Sequence, residues 1–368
     1  MLGYYKMSLI GTAHQAKKDG VCQDASDVIE LENGWVVAAI ADGLGSAKRS
    51  EIGAATAVKT VLSFVRENHP EKWHEESLIS LLRTAYHKAF TVIKTKSVEN
   101  QDDLREYDTT LTTVIYNGTN VVYGHVGDGG IIVLSSFGEY SVLTEAQKGE
   151  TFNETSPLRA GPDNWSFGVS KEDVCALIMV TDGIFDVAYP WLLAKSNQPI
   201  YVNYVRPFMD INLLKVSTPA DFENAQTEIA EFFNGPYSKQ ITDDKTIVGI
   251  INTSVVPETK PDDYYMEPDW QALAKAHHDR LYCSEESTSS KLESEVSELS
   301  QVTLALENEK SCDSAPLDQS EMFQATISPA PSASKEKVKN KRTNSDTSCK
   351  EANGKKRGVW KKLIGKSK

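Results

Sequence analysis

Aspartate-glycine pairs recur in this chain where apolar runs end, a placement suited to holding a hard cation. Residues 35–41 run into Asp42-Gly43, and 120–126 into Gly127-Asp128-Gly129. Residues 174–181 lead into Asp182-Gly183, with Asp186 one helical turn beyond. Asp243-Asp244 stands just before the apolar run 246–251, with Lys245 between. A carboxylate at a strand end is held by a rigid sheet yet stays open to water. The adjacent glycine lets the backbone approach a ligand closely, so its carbonyl can also coordinate. Several carboxylates on one rim repel one another strongly and need cations. Donors that are all oxygen, with no Cys or His cluster, select Mg²⁺ or Mn²⁺ over Zn²⁺. A single Asp-Gly is most simply a turn; a series at strand-like ends points to a shared site.

The elements that must position these carboxylates are legible in the hydrophobic pattern. Runs at 35–41, 111–116, 120–126, 131–134, 174–180 and 246–251 are rich in β-branched residues. Their lengths, about 4–8 residues, favour strands over buried helix. Asn117-Gly118 between two of them predicts a hairpin over 111–126. Ile52, Ala55, Val58, Leu62 and Val65 share one helical face, with Ser50 as the expected cap. Leu78, Leu81, Leu82, Ala85, Ala89, Val92 and Ile93 do the same, and a third helix is expected over 219–234. Hairpins interleaved with paired helices predict antiparallel sheets covered by helices, not regular βαβ winding.

Composition narrows the class. The chain has 368 residues, 40% of them hydrophobic, enough for a sizeable core. No apolar run approaches the ~18 residues of a membrane-spanning helix. The start, Met1 to Met7, has no basic patch followed by an apolar stretch, so no secretory signal is expected. Cys22, Cys175, Cys283, Cys312 and Cys349 are scattered and odd in number. That excludes a disulfide framework or a CxxC metal site and suits a reducing cytoplasm. The net charge of −13 is split: residues 335–368 carry 13 Lys/Arg and 3 Asp/Glu, a net of +10, leaving −23 on the rest. An acidic body repels nucleic acid and suits cations, so the basic tail is a separate device.

The expected organisation is a globular domain over 1–256 and a proline-punctuated acidic linker over 257–282. That linker includes a short helix near 270–282. A Ser/Glu-rich segment over 283–334 reads as disordered, and a basic tail over 335–368 follows. Leu292, Val296, Leu299, Thr303 and Leu306 alternate spacings of four and three, a pattern for a docking helix or short coiled coil. In the tail, Val359, Trp360, Leu363 and Ile364 stand among lysines. That combination suits an anionic membrane surface, nucleic acid or an acidic protein, and equally a solubilising tail.

Six motifs in order carry a resemblance. They are Cys22-Gln23-Asp24-Ala25, Ala41-Asp42-Gly43-Leu44-Gly45-Ser46, Asp108-Thr109-Thr110, His125-Val126-Gly127-Asp128, Thr181-Asp182-Gly183-Ile184-Phe185-Asp186 and Asp243-Asp244-Lys245-Thr246. Over about residues 1–253 the chain resembles the metal-dependent protein phosphatases, the 2C-type serine/threonine phosphatases, and most of all their compact bacterial branch. The resemblance implies an α+β fold, an α-β-β-α sandwich of two antiparallel sheets flanked by helix pairs. It implies Asp42 as the carboxylate bridging two metal ions, with the Gly43 carbonyl as a further ligand. Asp182 and Asp243 would complete the first metal, and Asp24 would hold metal-bound water. Asp128 and Asp186, with Asp182, match positions that hold a third ion in many members. The implied cofactor is Mn²⁺ or Mg²⁺. The implied catalytic residues are Asp42, Asp182 and Asp243. The implied reaction is in-line attack of a metal-activated water on phosphoserine or phosphothreonine, without a covalent intermediate. The implied partners of a monomeric enzyme are a phosphoprotein substrate and a cognate Ser/Thr kinase.

Three positions depart from the family pattern. Asp19 stands where many members have a phosphate-gripping arginine, leaving Lys17, Lys18, Lys48 and Arg49 as candidates for that role or as solvated surface charges. Leu44 stands where some eukaryotic members have a histidine, and Gln23 where Glu also occurs. Asp19 keeps a rival in view, a catalytically weak pseudophosphatase or a sensor and scaffold module; the retained Asp42, Asp182 and Asp243 favour an enzyme. His277-His278 reads as a surface pair, His125 as packed or hydrogen-bonded, and Cys22 and Cys175 as small core residues.

Overall fold

The computed structural model describes residues 1–16, 20–147, 155–236 and 241–280. In chain order the elements begin with β1 (Leu2–Leu9), α1 (Thr12–Gln15), β2 (Ala25–Glu30), β3 (Val36–Ala41), α2 (Ser50–Asn68) and α3 (Glu75–Glu99). Then come β4 (Leu111–Tyr116), β5 (Val121–Val126), β6 (Gly130–Ser135), β7 (Tyr140–Val142), β8 (Ser166–Val169) and β9 (Val174–Val180). The last are α4 (Asp182–Ala188), α5 (Val202–Met209), α6 (Ile211–Leu214), α7 (Pro219–Phe233) and β10 (Lys245–Asn252). One sheet has the order β1-β10-β9-β6-β7 and the other β2-β3-β4-β5-β8. Every neighbouring pair is antiparallel.

The period-2 geometry of a strand explains why the central runs are apolar throughout. On β3, Val37, Ala39 and Ala41 face a cluster shared with α2 and α3. Val36, Ala38 and Ile40 face the other way, onto Leu177 and Met179 of β9 and Val248 and Ile250 of β10. A third cluster joins the outer face of the β1/β9/β10 sheet to α4, α5 and α7. The result is the expected four-layer α-β-β-α sandwich, with each inner strand buried on both faces.

The long helices fall where the pattern places them, with one correction. Arg49, not Ser50, occupies the cap position of α2. Ser50 is buried, and its hydroxyl accepts a hydrogen bond from Gln23 Nε2 at 2.6 Å. A tertiary partner has taken the hydroxyl that the local rule assigned to the helix end. The helix α7 opens on Pro219 with a capping box between Thr218 and Asp221. The segments β1, β2, β7 and β8 carried no clear signal. β1 is an edge strand of alternating buried and open residues, held by eight-residue pairing to β10.

The core does not stop at 256. Tyr264 Oη accepts a hydrogen bond from the Tyr140 backbone N–H at 3.0 Å, and Tyr264 and Tyr265 pack against the cluster under α5 and α7. Trp270 meets Tyr201 edge to face and donates to Glu267. The compact unit accordingly runs from Met1 to Ala274. In the second unit, Lys275–Lys356, residues 275–280 are helical. The segments expected at 283–334 and 335–368, including the Leu292 to Leu306 pattern, lie outside the described residues. Among the described residues no helix is long and apolar enough to cross a membrane.

Candidate metal centre

Antiparallel pairing brings the ends of several strands to one rim of the sandwich. The registers Ala25↔Ala41, Leu111↔Val126, Gly130↔Val180 and Ile247↔Val180 align the C-terminal ends of β3, β5 and β9 with the starts of β2, β4, β6 and β10. Asp24, Asp42, Asp128, Asp182 and Asp243 each lie within two residues of one of these ends. Carboxylate oxygens of Asp42, Asp128 and Asp182 lie within 4.8 Å of one another. A second group, His14, Asp243 and Asp244, is as close. Asp186, one turn into α4, is exposed and adds its field to that at Asp182.

Local hydrogen bonds fix the backbone around each group. Asp42 donates its N–H to Thr110 Oγ1 at 2.8 Å, while its carbonyl accepts from the Thr110 N–H and Thr109 Oγ1, each at 2.8 Å. Gly43 is needed as glycine, because a Cβ there would stand 2.7 Å from the Gln23 carbonyl oxygen and from Ser50. Thr181 Oγ1 donates to Asp24 Oδ2 at 2.9 Å. Asp244 is buried and ties two loops together, accepting from the N–H groups of Gly11 and Gln23 at 2.6 Å each. His125 is buried on β5 and bonded to Thr112 Oγ1 at 2.9 Å and to the Gly127 carbonyl at 3.0 Å. Burial pushes it down to about 4, so it is a neutral imidazole bracing the Gly127-Asp128 turn.

The electrostatics are those of buried carboxylates crowded against one another. Burial, followed by repulsion from Asp24 and Asp182, lifts Asp42 well above the usual carboxylate range. Burial pushes Asp182 up to about 7, helped by the fields of Asp128, Asp243 and Asp186. Burial also takes Asp24 up to about 8, with Asp244 and Asp182 adding repulsion against the hydrogen bonds of Thr246 and Thr181. Asp24 Oδ1, Asp182 Oδ1 and the Gln23 side-chain oxygen are buried with no hydrogen-bond partner. Lys245, 2% exposed, lies close to Asp243, Asp244 and Asp24 and is a buried cation at this rim. Its ammonium also donates to the carbonyls of Ile241 and Asp243. Orphaned oxygens facing like charges are donors a hard divalent ion would satisfy.

The phosphate-gripping candidates fare differently. Arg49 Nε is paired with Asp102 at 2.9 Å and Lys48 with Glu106 at 3.5 Å, so both answer acidic residues of the 102–106 segment. Lys17 and Lys18 lie outside the described residues. His14 and Arg159 escaped the sequence reading, and Thr109 and Lys245 stood in its motifs without a role of their own. Arg159 clamps Asp108 with two hydrogen bonds of 2.7 Å, fastening the 155–165 segment to the Asp108-Thr109-Thr110 turn. A lone His, Lys or Arg carries no spacing signal that could have singled it out.

Cys175 is buried, and Cys22 is partly so. Burial pushes both thiols up to about 12, which makes them inert as nucleophiles at neutral pH.

Residues 10–233 match the model of a family described as Protein phosphatase 2C. Among solved structures, the chain is similar to a bacterial serine phosphatase at 14% identity, covering 71% of this chain and 100% of that one, with a TM-score of 0.50. It is similar as well to the serine/threonine phosphatase Stp1 from Staphylococcus aureus, at 15% identity, 68% and 95% coverage and a TM-score of 0.49. A third likeness is to the catalytic domain of PstP, solved in complex with 2 manganese ions, at 17% identity, 68% and 97% coverage and a TM-score of 0.45. No curated protein matches the chain significantly. At 14% identity and a TM-score of 0.50, the first of these likenesses speaks for the fold alone.

Proposed function

The chain belongs to the protein phosphatase 2C family, and from that premise we propose that it is a metal-dependent serine/threonine phosphatase acting on phosphoproteins. The observation that supports this reading most is the convergence of Asp42, Asp128 and Asp182 within 4.8 Å, with orphaned buried oxygens beside them. Asp42 would be shared between two Mn²⁺ or Mg²⁺ ions, with the Gly43 carbonyl, Asp182 and Asp243 completing the first. Asp24, held by Thr181, would orient water, and Asp128 and Asp186 would help to hold a third ion. The ions supply activation of a water molecule and neutralise charge on the transferring phosphoryl group.

The chain's own contribution is positional. Thr109 and Thr110 lock the Asp42 backbone, His125 braces the turn before Asp128, and Asp244 ties the Gly11 and Gln23 loops to the Asp243 turn. Rigid strand ends hold the carboxylates at short range without relaxation, which keeps the site preorganised. In the cell the enzyme would be a monomer in a reducing cytoplasm, opposed by a Ser/Thr kinase. Its basic tail, by this reading, selects location or partner.

The test uses the full chain on a phosphothreonine peptide and on p-nitrophenyl phosphate. Turnover is expected with Mn²⁺ or Mg²⁺, none in EDTA, and none from Asp42→Asn with either metal. Turnover that persists in EDTA, or in Asp42→Asn, would overturn the assignment. No turnover on either substrate with any divalent ion would leave the fold as a binding module.

A further inference from the structure

The turn that opens α1 is pressed against the turn that opens β10. A Cβ on Gly11 would collide with the Asp243 backbone, and the Ala13 N–H donates to the Thr242 carbonyl at 2.9 Å. This close approach delivers His14 to Asp243 and Asp244. The His14 side chain is 10% exposed and that of Asp244 3%. His14 Nδ1 stands 3.0 Å from Asp244 Oδ1. The two atoms are nevertheless not aligned as a hydrogen bond, and Nδ1 is buried with no hydrogen-bond partner. An Asp243 carboxylate oxygen completes a triangle of donor atoms within 4.8 Å.

A buried imidazole nitrogen at ion-pair distance from a carboxylate oxygen, yet not aligned with it as a hydrogen bond, also fits two ligands turned towards one metal ion. Two ligands at about 2.1 Å from one metal ion stand about 3.0 Å apart at a right angle and about 3.4 Å apart in a tetrahedron, a range that the His14–Asp244 separation borders. The second oxygen of Asp244 is already held by the Gln23 N–H, and its first by the Gly11 N–H. Ligating carboxylates are typically braced by such outer hydrogen bonds. We propose that His14, Asp243 and Asp244 form a second metal site, sharing Asp243 with the all-oxygen centre at Asp42 and Asp182, that takes a first-row transition ion such as Zn²⁺ or Co²⁺.

The donor set decides the ion. One imidazole nitrogen with two carboxylates suits Zn²⁺ and its neighbours, whereas Mg²⁺ prefers oxygen alone. The rim then carries two sites of different hardness a few residues apart, joined through Asp243. Asp243 faces Asp182 as well, whose carboxyl feels its charge. Where the phosphatase reading holds, an ion on His14 competes for the same carboxylate, so a transition ion inhibits the Mg²⁺-loaded enzyme. The site itself stands on its geometry and does not depend on that reading.

The test is a binding measurement on the full chain, stripped with EDTA and then saturated with Mg²⁺ to fill the oxygen sites. Co²⁺ is titrated by calorimetry and by its visible absorption, which reports coordination number and ligand field and is compared between wild type and the His14 variants. The wild type is expected to bind one tight Co²⁺ equivalent that Zn²⁺ displaces. His14→Gln should weaken it at least ~10-fold, while Asp42→Asn should retain it. Equal Co²⁺ binding by wild type and His14→Gln would overturn the site. So would loss of the tight equivalent in Asp42→Asn but not in His14→Gln, which would put the ion in the other cluster. Should His14→Gln fail to fold, His14→Asp decides. Co²⁺ absorption and affinity unchanged by that variant would also overturn the proposal, because the nitrogen would then play no part. Activity assays are a separate arm: a chain with no phosphatase turnover that still shows the His14-dependent equivalent refutes the functional reading and keeps this one.

Discussion

The same two strands build the most apolar and the most acidic parts of this molecule. Midway along β3 and β9, Ala38 and Ile178 are fully buried among hydrophobic neighbours. Just past their C-terminal ends stand Asp42 and Asp182, packed against other carboxylates. The core gains free energy from burial and has no need of charge. The rim concentrates charge that the folded protein would shed if it could. What the contrast teaches is that the rim is held together by the core: paired strands with interlocked side chains do not let the carboxylates move apart. Stability and chemistry are thus drawn from opposite ends of the same elements.

If that division is right, substitutions at the two ends should separate cleanly. The largest effect is expected for Asp182→Asn. Its turnover should fall by more than the ~10–100-fold typical of losing an outer-shell partner of a metal ligand. Its melting temperature in EDTA should stay level or rise, because one repelling charge has gone. A variant that loses stability and activity together would mean that the rim carries structural load. On the core side, Ile178→Ala should cost about 2–5 kcal/mol in denaturant unfolding, the usual range for a truncated buried aliphatic side chain. It should leave the metal dependence of the surviving folded fraction unchanged.

Titrating the chelated protein sharpens the same comparison. Asp24, Asp42 and Asp182 are all raised in the folded state, Asp24 to about 8 and Asp182 to about 7. Between the unfolded carboxylate value near 4 and these values, the folded protein binds more protons than the unfolded one. Stability in EDTA should therefore fall as pH rises from about 4 to about 8, since that slope is negative wherever the native state holds the extra protons. Saturating Mn²⁺ or Mg²⁺ should remove most of the fall, because the ions replace those protons. A metal-free melting temperature flat across that range would contradict the proposed crowding of charge.

Smaller effects test where the core ends. A chain cut after 256 loses Tyr264, Tyr265 and Trp270, and its melting temperature should drop by several degrees relative to one cut after 280. Equal melting of the two would confine the stabilising unit to 1–256. The smallest effect is expected from Arg159→Ala. Its bidentate pair with Asp108 is partly exposed, so the loss should be about 1 kcal/mol. A double-mutant cycle with Asp108→Asn measures that coupling directly.

The hydrophobic pattern alone was enough to locate β3, β4, β5, β9, β10, α2, α3 and α7 to within a few residues. These elements are buried on one or both faces, so burial must be written into their side chains. The order of the Asp-Gly motifs likewise marked the residues that could chelate, because a glycine beside a strand-end aspartate is a local requirement. Edge strands such as β1 and β2 were not legible. They are held by backbone pairing to a neighbour, which leaves little trace in side-chain type. Neither was the fate of Ser50, whose hydroxyl answers Gln23 across 27 positions instead of capping its own helix. Only tertiary structure decided that Lys48 and Arg49 answer Glu106 and Asp102, that Lys245 is a buried cation, and that His14 meets Asp244 across 230 positions. Sequence encodes what each residue needs from its surroundings, whereas the partner that meets the need depends on which loops the sheets bring to the same rim.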